Sequence, residues 1–363
     1  MKIVILGLSI TSSWGNGHAT TFRGLVRELS ALGHDVLFLE RDAPWYAGNR
    51  DLPHPPWGRT ALYGSLPKLQ VRFGMEVRDA DAVIVGSYVP EGIAVGQWVQ
   101  STAQGVRAFY DIDTPVTLAK ITRGECDYLT TALISGYGLY LSFAGGPTLT
   151  RLEQDYGSPC AKALYCSVDP DYYSPEAVSA DYDLGYMGTY SEDRQPPLES
   201  LLLEPARRWR EGRFAVAGPQ YPRSIAWPPN VSRTEHLPPA LHRDFYNRQR
   251  FTLNITRADM IQMGYSPSVR LFEAAACGVP ILSDYWDGLG TIFEIGTEIL
   301  VTRSADDTLA VLRDMPDTDR TQIAARARAR VMESHTAAHR AAELVQYLRD
   351  ALTTELTTER RSI

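Results

Sequence analysis

A chain of 363 residues with 44% hydrophobic content is long enough for two layered domains rather than one ordinary core. Its 43 acidic against 36 basic residues leave a net charge of -7, which excludes a surface built broadly for nucleic acid or anionic membrane. The four cysteines, Cys126, Cys160, Cys166 and Cys277, show neither a C-x-x-C pair nor metal-ligand spacing and read as reduced thiols. The N-terminus opens on a strand rather than a signal peptide, and no apolar run reaches about 18 residues, so a soluble, cytoplasmic protein is expected.

Apolar, β-rich runs at 3–8, 36–39, 82–85, 106–110, 139–143 and 163–166 alternate with helical patterns, which predicts a parallel, doubly wound sheet. Between the first strand and the first helix lies the turn "GNGHATTFRG". Gly15, Gly17 and Thr20, with Glu40 closing the next strand, imitate a dinucleotide fingerprint poorly, since six residues separate strand from glycines and the third glycine is missing. The turn either serves strand-to-helix packing alone or presents His18 at the carboxyl edge, where the positive helix end favours a neutral, proton-accepting imidazole. Residues 43–72, rich in Pro, Gly, Trp and Tyr, predict a long structured loop or an insertion over the sheet's carboxyl edge, in which Trp45, Tyr46 and Trp57 either stack on a ring or pack the loop down. Asp111 and Asp113, in "DID", are strand-end acids that face the ligand edge or cap a turn. Their D-x-D spacing resembles a metal motif, but no metal is assigned to them.

The segment "SVDPDYYSPEAVSADYD" reads as a linker. A second α/β series follows, with strands at 184–188, 214–217, 231–236, 252–255, 280–283 and 299–301 and helices at 198–210 and 269–277. The implied domains are 1–178 and 179–335, followed by 336–363, a C-terminal helix packing back toward the first domain and a frayed tail. "ARARARVMESH" reads as a solvated helix face, and "HTAAH" as two histidines near the start of a solvated helix, without a third metal ligand. In "GYSPSVRLFEAAACGVPILSD" the amides of Ser268, Val269 and Arg270 converge at a helix N-terminus, an anion site by construction. Arg270 adds a charge, and Glu273, one turn on, suits two adjacent ribose hydroxyls unless it merely pairs with Arg270.

"SVRLFEAAACGVPILSD" resembles the "EAMACGVPVV" signature of group 1 glycosyltransferases, most closely the branch named after the spore-maturation protein CgeB. "CSVDPDYYSP" is similar to that superfamily's "NGVDxxxFxP" segment, "LGYMGTYSEDRQ" to its glycine-rich loop, and the first turn, helix and second strand to the opening of GT-B proteins. The resemblance implies two Rossmann-like doubly wound α/β domains facing a cleft. It implies ribose binding by Glu273, diphosphate binding at Ser268, Val269 and Arg270, and base contacts from His236 and Leu237. Gly188 and Thr189 inherit a phosphate-facing place, Arg194 lies where a base could neutralise the diphosphate, and Arg257 is either a further cation there or a salt-bridge partner of Asp259. Tyr265 stands where the family carries a first acid.

The implied activity is transfer of a sugar from a nucleotide-diphosphate sugar, a co-substrate rather than a cofactor, without a metal and with a lean toward retention. In an inverting reaction His18 is the first candidate base, oriented by Asp111 or Asp113. Competing readings are a nucleotide-sugar epimerase of the same fold and a non-catalytic nucleotide-sugar-binding module. The sequence names neither base, sugar, acceptor nor oligomeric state.

Overall fold

The computed structural model describes residues 1–15 and 17–361. It divides into two compact units, Met1–Cys166 together with Ala337–Ile363, and Ser167–Thr336. The sequence places residues 167–178 with the first half, whereas here they fall in the second unit. Val168 bridges to Thr336 and donates its N–H to the His335 carbonyl, and Tyr173 packs its ring against Tyr246.

In the first unit, β1 (Lys2–Gly7), β2 (Asp35–Arg41), β3 (Arg59–Tyr63), β4 (Ala82–Gly86), β5 (Val106–Asp111), β6 (Leu139–Ser142) and β7 (Ala161–Ala163) form one sheet in the order β3-β2-β1-β4-β5-β6-β7. Neighbouring strands pair in parallel. Their near-continuous apolar runs suit a sheet buried on both faces. Ile3, Ile5, Phe38 and Ile84 meet Phe22, Leu25 and Leu29 of the helix His18–Ala31 in one core. The helix Ala337–Arg361 contributes Ala341, Leu344, Val345 and Leu348 to that same core, at the spacing of one helical face. Burial of each larger side chain there is worth about 1.5–3 kcal/mol, which places this helix with the first unit. The helix runs on through Arg361 where the sequence predicts a frayed tail, and Ser362 and Ile363 lie outside the described residues.

Two sequence expectations change here. The stretch 43–72 is not one long loop: it holds the short helix Pro44–Ala47, the edge strand β3, and the start of the helix Leu66–Arg78, capped by Ser65. β3 is only half-buried, so the apolar run that announces an inner strand is missing. The last strand of the sheet is β7 rather than residues 163–166.

Glu40 closes β2 wholly buried and spends its carboxylate on the loop after β1. It accepts from Ile10 N–H (2.7 Å), Thr11 N–H (2.9 Å) and Thr11 Oγ1 (2.6 Å). This is a structural use of the acid that imitates a ribose ligand, and the intervening residues that spoil the fingerprint are the ones it holds. Asp51 braces the same loop. Burial works against its charge, yet bonds from Arg23 and Ser13 hold its pKa down at about 2.

In the second unit, β8 (Tyr182–Met187), β9 (Phe214–Ala217), β10 (Val231–Thr234), β11 (Gln249–Asn254), β12 (Ile281–Ser283) and β13 (Leu300–Val301) form a parallel sheet in the order β10-β9-β8-β11-β12-β13. The helix expected at 198–210 begins at Gln195 and ends at Arg208, with the π turn Glu199–Leu203 inside it. Pro205 just beyond the turn has no N–H for the regular ladder, a familiar cause of such a local change of pitch.

The basic run lies largely on an exposed face, with its arginines also bonded to neighbouring segments. It lies in the helix Asp317–Ser334, where Arg326 donates to the Thr297 carbonyl, Arg328 to the Ala276 carbonyl, and Arg330 pairs with Glu298. His335 is buried and stacks on Phe272 at 4.8 Å rather than standing in solvent.

Replacement of Glu40 by Gln leaves amide hydrogens facing N–H donors. Urea unfolding of Glu40→Gln is expected to show a loss of about 2–3 kcal/mol relative to wild type.

Candidate functional site

In the second unit the chain travels outward from β8 to β9 and β10, then returns to lay β11 on the other side of β8. Connections leaving β8 and β11 therefore go to opposite sides, and a crevice opens at their carboxyl ends, the usual ligand position in such sheets. Arg270 occupies this point. Its Nε donates to the Met187 carbonyl at the end of β8 (2.6 Å), and its Nη1 to Asn254 Oδ1 at the end of β11 (2.9 Å) and to Ser268 Oγ (3.4 Å). The guanidinium lies 5.1 Å over the Tyr186 ring and is 9% exposed.

Two more arginines stand near. Arg194, equally buried, donates to the Thr189 carbonyl and to Ser191 Oγ. Burial lowers its pKa, and the charges of Arg270 and Arg257 push in the same direction. Arg257 is exposed, at the cap of the helix Ala258–Met263. The hydrogen bonds of Arg270 and Arg194 go to neutral acceptors, while the carboxylates of Asp284 and Asp193 lie close enough to feel their charges, and an anion would add counter-charge to the group.

The glycine loops make room. A Cβ on Gly188 would sit 3.1 Å from Arg270 Nη2, and one on Gly218 only 2.0 Å from the Gly188 carbonyl oxygen. Backbone thus approaches the guanidinium where a side chain would block it. Ser268 caps the helix Val269–Ala276 from an extended conformation without a side-chain cap bond, leaving first-turn amides at the same edge. Glu273, one turn on, is 6% exposed and accepts from Tyr246 Oη at 3.0 Å, with Tyr173 as a second hydroxyl neighbour. Arg270 and Glu273 do not merely pair with each other, since each is bound elsewhere. His236 is exposed after β10, and Leu237 packs beside Ala217 and Phe245 while its carbonyl accepts from His242. Tyr265 takes φ 50 and donates its N–H to the Asp287 carbonyl.

Sequence reasoning passes over Asn254, Thr256 and Asp284. Asp284 accepts from Thr256 N–H (2.8 Å) and Oγ1 (2.7 Å), and burial raises its pKa. A polar residue closing an apolar strand, as in "LNIT", was the available signal.

The first unit repeats the strand order around its own reversal point, between β1 and β4. His18 is the first residue of its helix, after the glycine turn whose Asn16 lies outside the described residues. It is 9% exposed, its Nδ1 is buried without a hydrogen-bond partner among the described residues, and burial lowers its pKa to about 4, so the ring is neutral at physiological pH. Asp111 is enclosed at the end of β5, with Tyr140 Oη at 2.6 Å and Thr117 Oγ1 at 2.7 Å. Asp113 is half-buried and accepts from Tyr88 Oη at 3.1 Å. Tyr88 touches both, its ring against His18 and its hydroxyl on Asp113, while the Asp111 oxygens are taken up by Tyr140, Thr117 and the Asp113 N–H. Among the described residues no three His, Cys, Asp or Glu side chains gather as a metal cage, and none of the four cysteines forms a disulfide.

Residues 194–346 match the family model described as glycosyl transferase-like. No curated protein matches the chain in sequence. Among solved structures, the sucrose-phosphate synthase from Thermosynechococcus elongatus superposes with a TM-score of 0.70 at 13% identity, over 98% of this chain and 100% of that one. Anabaena HepE in complex with UDP and glucose gives 0.68 at 13% identity over 96% and 100%. The T4 phage β-glucosyltransferase gives 0.65 at 11% identity over 97% and 99%. The two parallel-sheet α/β units have the GT-B fold of glycosyltransferases. No helix among the described residues is long and apolar enough to cross a membrane.

Burial raises the Asp111 pKa from 3.8 to about 6, against the bonds from Tyr140 and Thr117. The folded state therefore holds this proton through a window in which the unfolded chain has lost it, and the group's contribution to stability falls as pH rises from about 4 to 6. Relative to wild type, Asp111→Asn is expected to gain about 2–3 kcal/mol of stability between pH 4 and 7, read by urea unfolding at both values.

Proposed function

We propose that this protein is a glycosyltransferase that takes a sugar from a uridine diphosphate sugar held on the second unit and passes it to an acceptor hydroxyl on the first. The observation that carries this reading is the buried Arg270 at the reversal point of the second sheet, hydrogen-bonded to neutral acceptors beside Arg194 and Arg257. A diphosphate adds negative charge to that of Asp284 and Asp193, while the amides of Ser268, Val269 and Arg270 add donors. Glu273 takes the ribose hydroxyls, a role that its hydroxyl-only neighbourhood suits. The loops of Gly188 and Thr189 face the phosphates, and His236 and Leu237 contact the base. Uracil is chosen because the HepE structure contains UDP.

Cations and amides that hold the leaving diphosphate supply the transition-state stabilisation, at roughly 2–4 kcal/mol per lost partner. Neutral His18 and the Asp113 carboxylate contact the acceptor, with Asp111 supporting Asp113 from behind. The resemblance of residues 264–284 to group 1 enzymes, nearest the CgeB-like branch, leans the stereochemistry toward retention, which anomeric analysis of the product tests. The chemistry is proposed to need no divalent ion, and four cysteines outside any disulfide suit work in the cytoplasm.

Calorimetric titration with UDP and UDP-glucose tests the donor site. Arg270→Gln and Glu273→Ala are expected to weaken binding at least tenfold, by about 1.4 kcal/mol or more, whereas His18→Ala keeps the affinity and lowers turnover. Binding lost in His18→Ala but kept in Arg270→Gln would overturn the assignment of donor and acceptor sides. Turnover is further expected to survive EDTA; activity abolished by chelation and restored by Mn²⁺ would reject the metal-free reading.

A further inference from the structure

The reversal point of the first unit carries a built cluster whose central residue, Tyr88, has no role in the reading above. Tyr88 follows β4 and takes φ 61, a left-handed conformation disfavoured for a residue with a bulky side chain. Glu91, three residues on, repeats it with φ 58. The turn is held from below, where Ser87 donates its N–H to the Tyr110 carbonyl (3.0 Å) and its Oγ accepts from Ile112 N–H (3.1 Å). This backbone delivers the phenol to Asp113 Oδ2 at 3.1 Å. The ring stands edge-on to His18, with centroids 5.5 Å apart and planes at 81°, and packs at 4.5 Å on Tyr128, while Lys120 Nζ lies 4.8 Å over it.

Asp113 makes an independent point. It is the N-cap of the helix Thr114–Arg123, a position its residue type is chosen for, yet its side chain makes no cap hydrogen bond. The carboxylate is turned to Tyr88 instead. Behind it, Asp111 Oδ1 accepts the Asp113 N–H at 3.3 Å, fixing the backbone of the same residue. Burial and the Asp113 charge push the Tyr88 phenol above its ordinary range, so it stays protonated and donates. Among the groups near Asp113 are the Tyr88 phenol, the Asp111 carboxylate, neutral His18 against the Tyr88 ring, and Lys120 over that ring.

We propose that Tyr88 is a positioning residue, a strained clamp that holds the Asp113 carboxylate beside His18 to receive the hydrogen bond of an acceptor hydroxyl. The inference rests on the first unit being the acceptor side. It accounts together for the left-handed tyrosine and for a capping residue that leaves its helix uncapped.

Tyr88→Phe deletes the donor and keeps the ring; Tyr88→Gly, suited to φ 61, removes the whole side chain should the first variant fail to fold. In the full-length protein, turnover of UDP-glucose with water as acceptor is followed across pH, and the Asp113 carboxylate is titrated separately by carbon-13 NMR without substrate. Tyr88→Phe is expected to lower kcat roughly five- to tenfold with KM for UDP-glucose unchanged. The acid limb and the Asp113 titration both move up by about half a pH unit or more, because a carboxylate loses a donor. On an Asp113→Asn background the same change adds no further loss. A displaced Asp113 titration in a protein that does not turn over UDP-glucose supports the clamp and counts against the transferase reading alone. An unmoved titration with an unmoved acid limb overturns the clamp, and a lowered thermal midpoint without either shift assigns Tyr88 to packing.

Discussion

A buried guanidinium bound to neutral oxygens is the constraint on which the second unit depends. Arg270 ties the end of β8 to the end of β11, the two strands between which the sheet reverses direction. Removing such a group from water is costly, and neutral acceptors repay only part of that cost. The surroundings fit it tightly: glycine at 188 so that backbone can come close, Tyr186 beneath the cation, and Asn254 at the one strand end able to meet Nη1.

The two units share one topology and diverge in chemistry at the same place. Around β1 and β4 the first unit sets a neutral imidazole, a tyrosine and two carboxylates; around β8 and β11 the second sets three arginines. The fold makes a crevice at each reversal point, and the residues that close the strands decide what it accepts. One crevice carries carboxylates, a phenol and an imidazole, the other a group of arginines.

Both crevices are stiffened from outside. Glu40 and Asp51 lock the loop that leads to His18, so the turn is held by buried charge rather than by glycine alone. In the second unit, Arg328 takes the Ala276 carbonyl at the far end of the helix whose first turn carries Arg270, and His335 stacks on Phe272 in its middle. A cation at the carboxyl end of a helix also favours its dipole. One arginine of the basic stretch thus supports the site helix while its neighbours stay exposed.

Much of the architecture was legible in order of residues alone, because apolar strand runs and helical periodicity are local properties. The alternation along the chain predicted parallel sheets, and the Ser-Pro-Ser start before Arg270 marked a helix terminus able to meet an anion. The edge strand β3 was not legible, since a half-exposed strand lacks the apolar run that signals an inner one. Nor was the fate of Glu40, a strand-end acid whose partners, Ile10 and Thr11, lie thirty positions away on another loop. The same holds for Tyr88, which carries no motif; only folding brings it against both His18 and Asp113. The sequence by itself determined which groups exist and on which elements they sit. The tertiary structure decided which charges were already spent on the fold and which remained for a ligand, because hydrogen bonds between distant segments form only when strands from separate parts of the chain become neighbours.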